Sequence, residues 1–442
     1  MTMQQQQRVV ALAGYGAGSF GANLALWPVL TMLLYFLTET VGFSVALATV
    51  VITAPKVWDI CIDPLIGAWA DRAAVRTGHR GRLMFLAAGL MPAAIVLVFM
   101  LPSQAPSWVA VIAIVLLILK SSAFMVFFIS HVALADDIDR AGTARRDSVL
   151  AMRVAGQAMG SLCAGAVGPL LITAGGGGSG GYRLMAFALA VAALVGMGIV
   201  ALTARRFSIS QSTAPAPAKS NLLAAIRAAF HNRTAGALIL SNFVLYLATA
   251  FVSTFMPYMN KLLLGASDSA MAMLYSSLMV AMLCGSALAA AFTRRFQRIP
   301  VLIAGTLVML LAALSFYPTS ATGAVIAASA SLLVWGLGLG MYALLVFSAT
   351  MDAAKASGAG AGLLLGLLIS TGKIGDSLGG VFAGGLLSAI GYRVGSPLSA
   401  DMMASLRSAY AGAPVIAMLI SAGILLTLLR RPAPPTLEAG SP

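Results

Sequence analysis

Apolar positions along this chain neither alternate nor trace a single helical face. They run on for about twenty residues at a time, interrupted by short clusters of Gly, Pro, Arg and Asp. At about 1.5 Å per helical residue, such runs match the ~30 Å hydrocarbon core of a bilayer. A helix also satisfies its backbone hydrogen bonds internally, as lipid demands. Runs and breakers predict spans near residues 9–37, 43–69, 83–101, 107–134, 148–174, 184–203, 234–260, 268–292, 300–317, 323–347, 359–390 and 411–429. The expected fold class is therefore an all-α membrane protein with twelve transmembrane helices in two six-helix halves. The halves are residues 1–203 and 234–429, joined by a middle loop at 204–233 and followed by a tail at 430–442.

Composition agrees, with 60% of the 442 residues hydrophobic and 9% charged. The net charge of +14 is informative through its distribution. Of 27 Lys and Arg residues, 19 fall in alternate loops and the terminal segments, and the opposite loops hold Arg183, Lys261, Arg393 and Arg407. The positive-inside rule then places both termini in the cytoplasm, in a multi-pass protein of the cell (inner) membrane. The lipid bilayer accounts for the basic balance, and no nucleic-acid partner is expected. The first apolar run lacks a small-residue cleavage site and reads as a spanning helix rather than a signal peptide. Cys61, Cys163 and Cys284 show no paired spacing, so neither disulfides nor a zinc site is expected.

Three further stretches bear on organisation. In the middle loop, Leu222, Leu223, Ile226 and Phe230 share one face of an expected interfacial helix. The run GGGGSGG at Gly175 to Gly181 lacks the GK[ST] ending of a phosphate loop and reads as a flexible outer loop. The tripeptide GYR at Gly181 to Arg183 recurs at Gly391 to Arg393, as parallel six-helix repeats would give.

Candidate chemistry lies in the charges inside the spans. Lys56, Asp59 and Asp63 in KVWDICID are spaced three and four apart and fall on one helical face. A charge at the centre of a membrane helix costs roughly 2.5 to 3.5 kcal/mol on insertion scales, so such groups face partners or cavities. Two crowded carboxylates beside a lysine can exchange a proton or hold a monovalent cation. A purely structural Lys–Asp pair would need one acid, and here there are two. In ISTGKIGDSLGG, Lys373 and Asp376 are three apart, either as a local ion pair or with Lys373 reaching the second-span acids. Tyr15, Ser19, Asn23 and Trp27 recur every four residues as a stripe suited to a hydroxylated ligand or to interhelical bonding. Asn242, Tyr246, Thr249 and Ser253 form a similar stripe. Lys120 and Arg153 are also intramembrane, and Arg153 is near enough to the interface to snorkel. In GAWADRAAVRTGHRGR, Asp71, Arg72 and Arg76 could form a cytoplasmic latch or serve as topology-setting charge. No nucleophile–base pair, zinc spacing or cofactor loop appears, so an enzyme is not expected.

With these residues in hand, the chain resembles the glycoside-pentoside-hexuronide:cation symporters of the major facilitator superfamily, the group containing the melibiose carriers. KVWDICIDPLIGAWADR at Lys56 to Arg72 is similar to the family's basic-x-Trp-Asp-x-x-x-Asp-Pro-x-x-Gly signature, and STGKIGDSLGG, YGAGSFGAN and DRAGTARRDSVLAMR also match. The resemblance implies a secondary transporter that moves a small solute by alternating access, working as a monomer without a cofactor. Asp59 and Asp63 would bind the coupling ion, H+ or Na+, as a possible monovalent-cation site, with Lys56 and Lys373 beside them. Tyr15, Asn23, Lys120, Arg153 and Lys373 become the expected substrate contacts, and Asp71, Arg72 and Arg76 the cytoplasmic gate. Three departures matter. Asn23 stands where the melibiose carriers have an acid, Ile62 replaces an asparagine beside Asp63, and FMVFFIS in the fourth span carries no acid. Sodium needs several oxygen ligands and a proton needs one carboxylate, so Ile62 favours a proton. The surplus of intramembrane bases hints at an acidic solute. A lipid carrier, or a receptor or scaffold that has lost transport, are the alternative readings.

Overall fold

The computed structural model describes residues 3–144, 146–207, 232–321, 323–357, 361–393 and 399–429, without certain side chains inside them, those of Asp63 and Asp71 included. The expected interfacial helix of the middle loop lies outside the described residues. Twelve long helices are present among those described: α1 Met3–Thr31, α2 Val45–Thr77, α3 Gly81–Phe99, α4 Val109–Arg140, α5 Arg146–Ala174, α6 Gly178–Ala204, α7 Arg233–Tyr258, α8 Asp268–Phe292, α9 Arg298–Ala321, α10 Val325–Ser357, α11 Ala361–Ala389 and α12 Ala400–Leu426. Ten are long and apolar enough to cross a membrane. The other two, α2 and α11, match them in length and carry the charges singled out above. The all-α membrane class is thus borne out.

Some boundaries need correction. The last helix begins at Ala400 rather than 411, with Ser399 accepting from the Met402 amide as its N-cap. Asp401 and Arg407 had broken the apolar run there. The glycine run is mostly helix rather than loop, because α6 already starts at Gly178. A Cβ on Gly181 would collide with the Ile172 carbonyl of α5, so glycine permits a tight α5–α6 turn.

Packing sorts the helices into two sets. In one, α1 lies against α5 and α6, α3 against α4 and α6, and α2 against α4. In the other, α7 lies against α11 and α12, while α10 packs on α8 and α9. The sets meet along α2–α11, α5–α8 and α1–α7.

The same devices recur six helices apart. Both α1 and α7 run into a π-helical turn, Phe36–Thr40 and Met259–Leu263. Glycines bring α5 onto α1 (Gly156 and Gly160 over the Gly16 and Phe20 carbonyls) and α11 onto α7 (Gly375 and Gly379 over those of Phe243 and Leu247). Ion pairs join the α2–α3 loop to α4 (Arg80–Asp137) and the first residue of α9 to α10 (Arg298–Asp352). The GYR repeat does not mark this symmetry. Gly181 lies in the first turn of α6, whereas Gly391 follows α11 with φ +77°. The end of the bundle bearing the α2–α3 and α8–α9 loops is hereafter the basic face.

Candidate functional site

The charged residues of α2 lie where the two sets meet. Lys56 Nζ donates to the backbone carbonyls of Asp376 (3.3 Å) and Ser377 (3.1 Å) on α11. Approach is possible because Gly380 and Gly384 face α2, with Lys56 Nζ lying 3.7 Å from where a Gly380 Cβ would be and Thr49 occupying the place of a Gly384 Cβ. A lysine of one set is therefore tied to the backbone of the other.

One turn along, Asp59 is held from α4. Ser121 Oγ donates to Asp59 Oδ2 at 2.6 Å, while Oδ1 is buried with no hydrogen-bond partner among the described residues. Next to it, Trp58 Nε1 donates to Ser122 Oγ at 3.1 Å. The carboxylate is thus fixed through one oxygen and has the other available for a proton or cation. Lys56 and Lys120 both lie within electrostatic range of Asp59 and of Asp376. These four groups, three from α2 and α4 and one from α11, form a charge cluster across the seam.

A second grouping surrounds Phe128 on α4. The Arg153 guanidinium carbon of α5 is 4.8 Å from the ring centroid, and Lys373 Nζ of α11 is 5.6 Å from it. Cations attracted by the π face are thereby brought from the two sets to one ring. The spacing offers Lys373 to Asp376 or to the second-span acids, and the structure also sets its ammonium over the Phe128 ring.

The first-span stripe divides. Tyr15 is fully buried, its ring 4.2 Å from that of His131, and its carbonyl accepts from His131 Nε2 at 3.0 Å. Asn23 remains partly accessible, its Nδ2 donating to Ser19 O at 2.9 Å and its Oδ1 accepting from Ser161 at 3.5 Å. Trp27 is packing: it fills the space left by Gly165 and Gly168 of α5 and meets the Tyr275 ring of α8 edge-on at 4.9 Å. On α7, the amide of Asn242 is buried and donates to Leu368 O of α11 at 2.9 Å. At the basic face, Arg72 and Arg76 are exposed, and Asp71's side chain lies outside the described residues. Among the described residues this region holds an ion pair between Arg80 Nε and Asp137 Oδ2 at 3.0 Å, joined by Arg140 at 3.3 Å.

Sequence reasoning passed over Ser121 and Phe128, and held Arg80 only as one of the arginines of the α2–α3 loop. A serine or phenylalanine in an apolar helix carries no signal of its own. Ser121's adjacency to Lys120, and Phe128's place where an acid was expected, were the available hints.

Two similarly built helix sets, meeting in a seam that holds charges within the membrane, define a multi-pass transporter of the major facilitator class. Over residues 14–430 the chain matches the MFS/sugar transport protein family and belongs to it. It is a transporter, not an enzyme. It is 38% identical over 81 residues to an uncharacterised symporter of Synechocystis sp., covering 18% of this chain and 14% of that protein. With an uncharacterised symporter of Bacillus subtilis it shares 37% over 78 residues, 17% of each chain. These stretches span less than a fifth of either relative. Among solved structures, a bacterial homologue of the lysosomal transporter Spinster, in an inward-facing unoccupied form, superposes with TM-score 0.67 at 17% identity over 97% of this chain and 96% of that one. A D-xylose-proton symporter gives 0.66 at 17% over 94% and 96%. These likenesses establish the fold.

Proposed function

We propose that this secondary transporter is a symporter in which Asp59 and Asp63 take up the coupling ion, H+ in preference to Na+, and drive entry of a small polar solute. The observation that carries this reading is the Lys56 bridge. The lysine beside Asp59 is the one tied to α11, so the charge state of Asp59 bears directly on a contact between the two helix sets. Neutralising Asp59 changes the field on Lys56, which supplies the differential binding that coupling requires. Lys373 senses the same charges from the other set.

The solute occupies the seam on the basic-face side of this cluster, touched by Asn23, Lys120, Arg153 and Lys373, with Tyr15 behind them. Arg153 and Lys373 come from opposite sets to one aromatic ring in a span without acids, which favours a solute bearing a carboxylate, such as a hexuronide, over a neutral sugar or glycoside. An anion between them would draw the sets together. Asp71, Arg72 and Arg76 gate the cytoplasmic side, both termini are cytoplasmic, and the halves rock as residues 1–203 and 234–429 in a monomer of the inner membrane.

The test is uptake into proteoliposomes under imposed gradients. A hexuronate should accumulate with a pH gradient, inside alkaline, and without sodium. Accumulation that follows a sodium gradient and ignores pH would remove the proton assignment.

A further inference from the structure

At the face opposite the basic one, the two sets are joined by hydroxyl groups and one acid that the coupling scheme above does not use. Glu39 lies in the π turn that ends α1, and Tyr392 follows α11. The Tyr392 hydroxyl donates to Glu39 Oε1 at 2.7 Å. Thr38 Oγ1 is 2.8 Å from the Tyr258 hydroxyl at the end of α7 and 3.3 Å from Glu39 Oε1. With Tyr258 donating to Thr38 and Thr38 to Glu39, one carboxylate oxygen collects hydrogen bonds from both sets. The rings reinforce the closure: Tyr35 meets Tyr258 edge-on at 5.1 Å, and Tyr258 meets Tyr392 at 5.9 Å and 88°. Asp268 shares the neighbour Tyr35 with Glu39 and is itself paired with Lys261 of the second π turn at 2.9 Å. No base is bonded to Glu39 among the described residues.

Burying a carboxylate with hydroxyl donors and no cation penalises its charged form. Burial accordingly raises the Glu39 pKa above the ordinary carboxylate value, and the bonds from Tyr392 and Thr38 offset part of the rise. Glu39 is half-buried, and when the two sets part at this face its carboxylate gains further contact with water and the penalty falls. We propose that Glu39 is a second proton site, distinct from Asp59, whose protonation favours closure of the face opposite the basic one. The neutral acid keeps a carbonyl oxygen that accepts from Tyr392, so the cross-set bond survives proton uptake. Because the closed form has the higher proton affinity, the contribution to closure is complete below the open-form pKa and is lost as pH rises through the closed-form pKa. With this face outside, as the basic-loop asymmetry expects, external acid closes the gate behind an entering solute.

The experiment follows the distance between spin labels at Ser103→Cys and Ala400→Cys, both exposed on this face, in the full chain with Cys61, Cys163 and Cys284 replaced by serine. No solute is added, so the readout is independent of Asp59 and of substrate identity. Lowering the pH from about 8 to about 5 should enrich the short distance, by up to about tenfold in closed-to-open ratio for each unit separating the two proton affinities. Glu39→Gln should give the short distance at every pH. Tyr392→Phe, which removes the cross-set bond in both protonation states but keeps the carboxylate, should lower the closed-to-open ratio at every pH and retain a pH response. A pH-independent distance in the unsubstituted background, an unaltered pH response in Glu39→Gln, or an unchanged closed-to-open ratio in Tyr392→Phe would each overturn the proposal.

Discussion

At the basic face the ion pairs Arg80–Asp137 and Arg298–Asp352 each stay within one set of helices, whereas at the opposite face Thr38–Tyr258 and Glu39–Tyr392 cross between the sets. The permanent charge pairs therefore stiffen each set as a body, and the hydroxyl contacts that link the bodies are the replaceable ones. A neutral hydrogen bond contributes about 0.5 to 1.5 kcal/mol net, a suitable strength for a contact that must break in each cycle. Midway between these ends lies Lys56, a charged donor to α11 carbonyls and the natural point of control.

The largest expected effect comes from breaking the buried intra-set pair. The Asp137 side chain is 1% exposed, so Arg80→Ala strands a buried carboxylate and should cost about 3 kcal/mol, short of the upper range because Arg140 remains. Denaturant unfolding in detergent micelles measures it, and a change below about 1 kcal/mol would mean that Arg80 is not a structural clamp. Next is the inter-set seam. Gly384→Leu drives a side chain into Thr49 and should disfavour closure at the opposite face by about 1 to 3 kcal/mol, lengthening the label distance described above. A short distance retained in that variant would show that α2 and α11 do not approach in closure. The smallest effect is expected at the symmetry-related pair: Arg298 and Asp352 are 45% and 51% exposed, so Arg298→Ala should cost at most about 1 kcal/mol in the same unfolding assay. Equal losses at the two pairs would erase the distinction drawn from burial.

Much of this was legible in the sequence, for identifiable reasons. Charges inside apolar runs are conspicuous, so Lys56, Asp59 and Lys373 stood out before any geometry was known. Trp27 could not be assigned from its spacing, since a stripe every fourth residue describes ligand contact and helix packing equally well, and the glycines that receive it lie on α5. Glu39 was passed over at a span end because its partner Tyr392 is 353 positions away. Repeat symmetry was sought in a shared tripeptide and found in backbone devices, paired π turns and glycine seams whose sequences differ. The α12 start was lost because Asp401 and Arg407 lower local hydropathy without ending a helix.

The central claim is that the state of Asp59 couples an ion to the solute. It is tested most directly by adding a hexuronate to de-energised vesicles containing the protein and recording the external pH. The account predicts alkalinisation with the unsubstituted protein and none with Asp59→Asn, whose solute counterflow should persist while gradient-driven accumulation falls on the order of tenfold or more. Equal accumulation and equal alkalinisation in Asp59→Asn would contradict it.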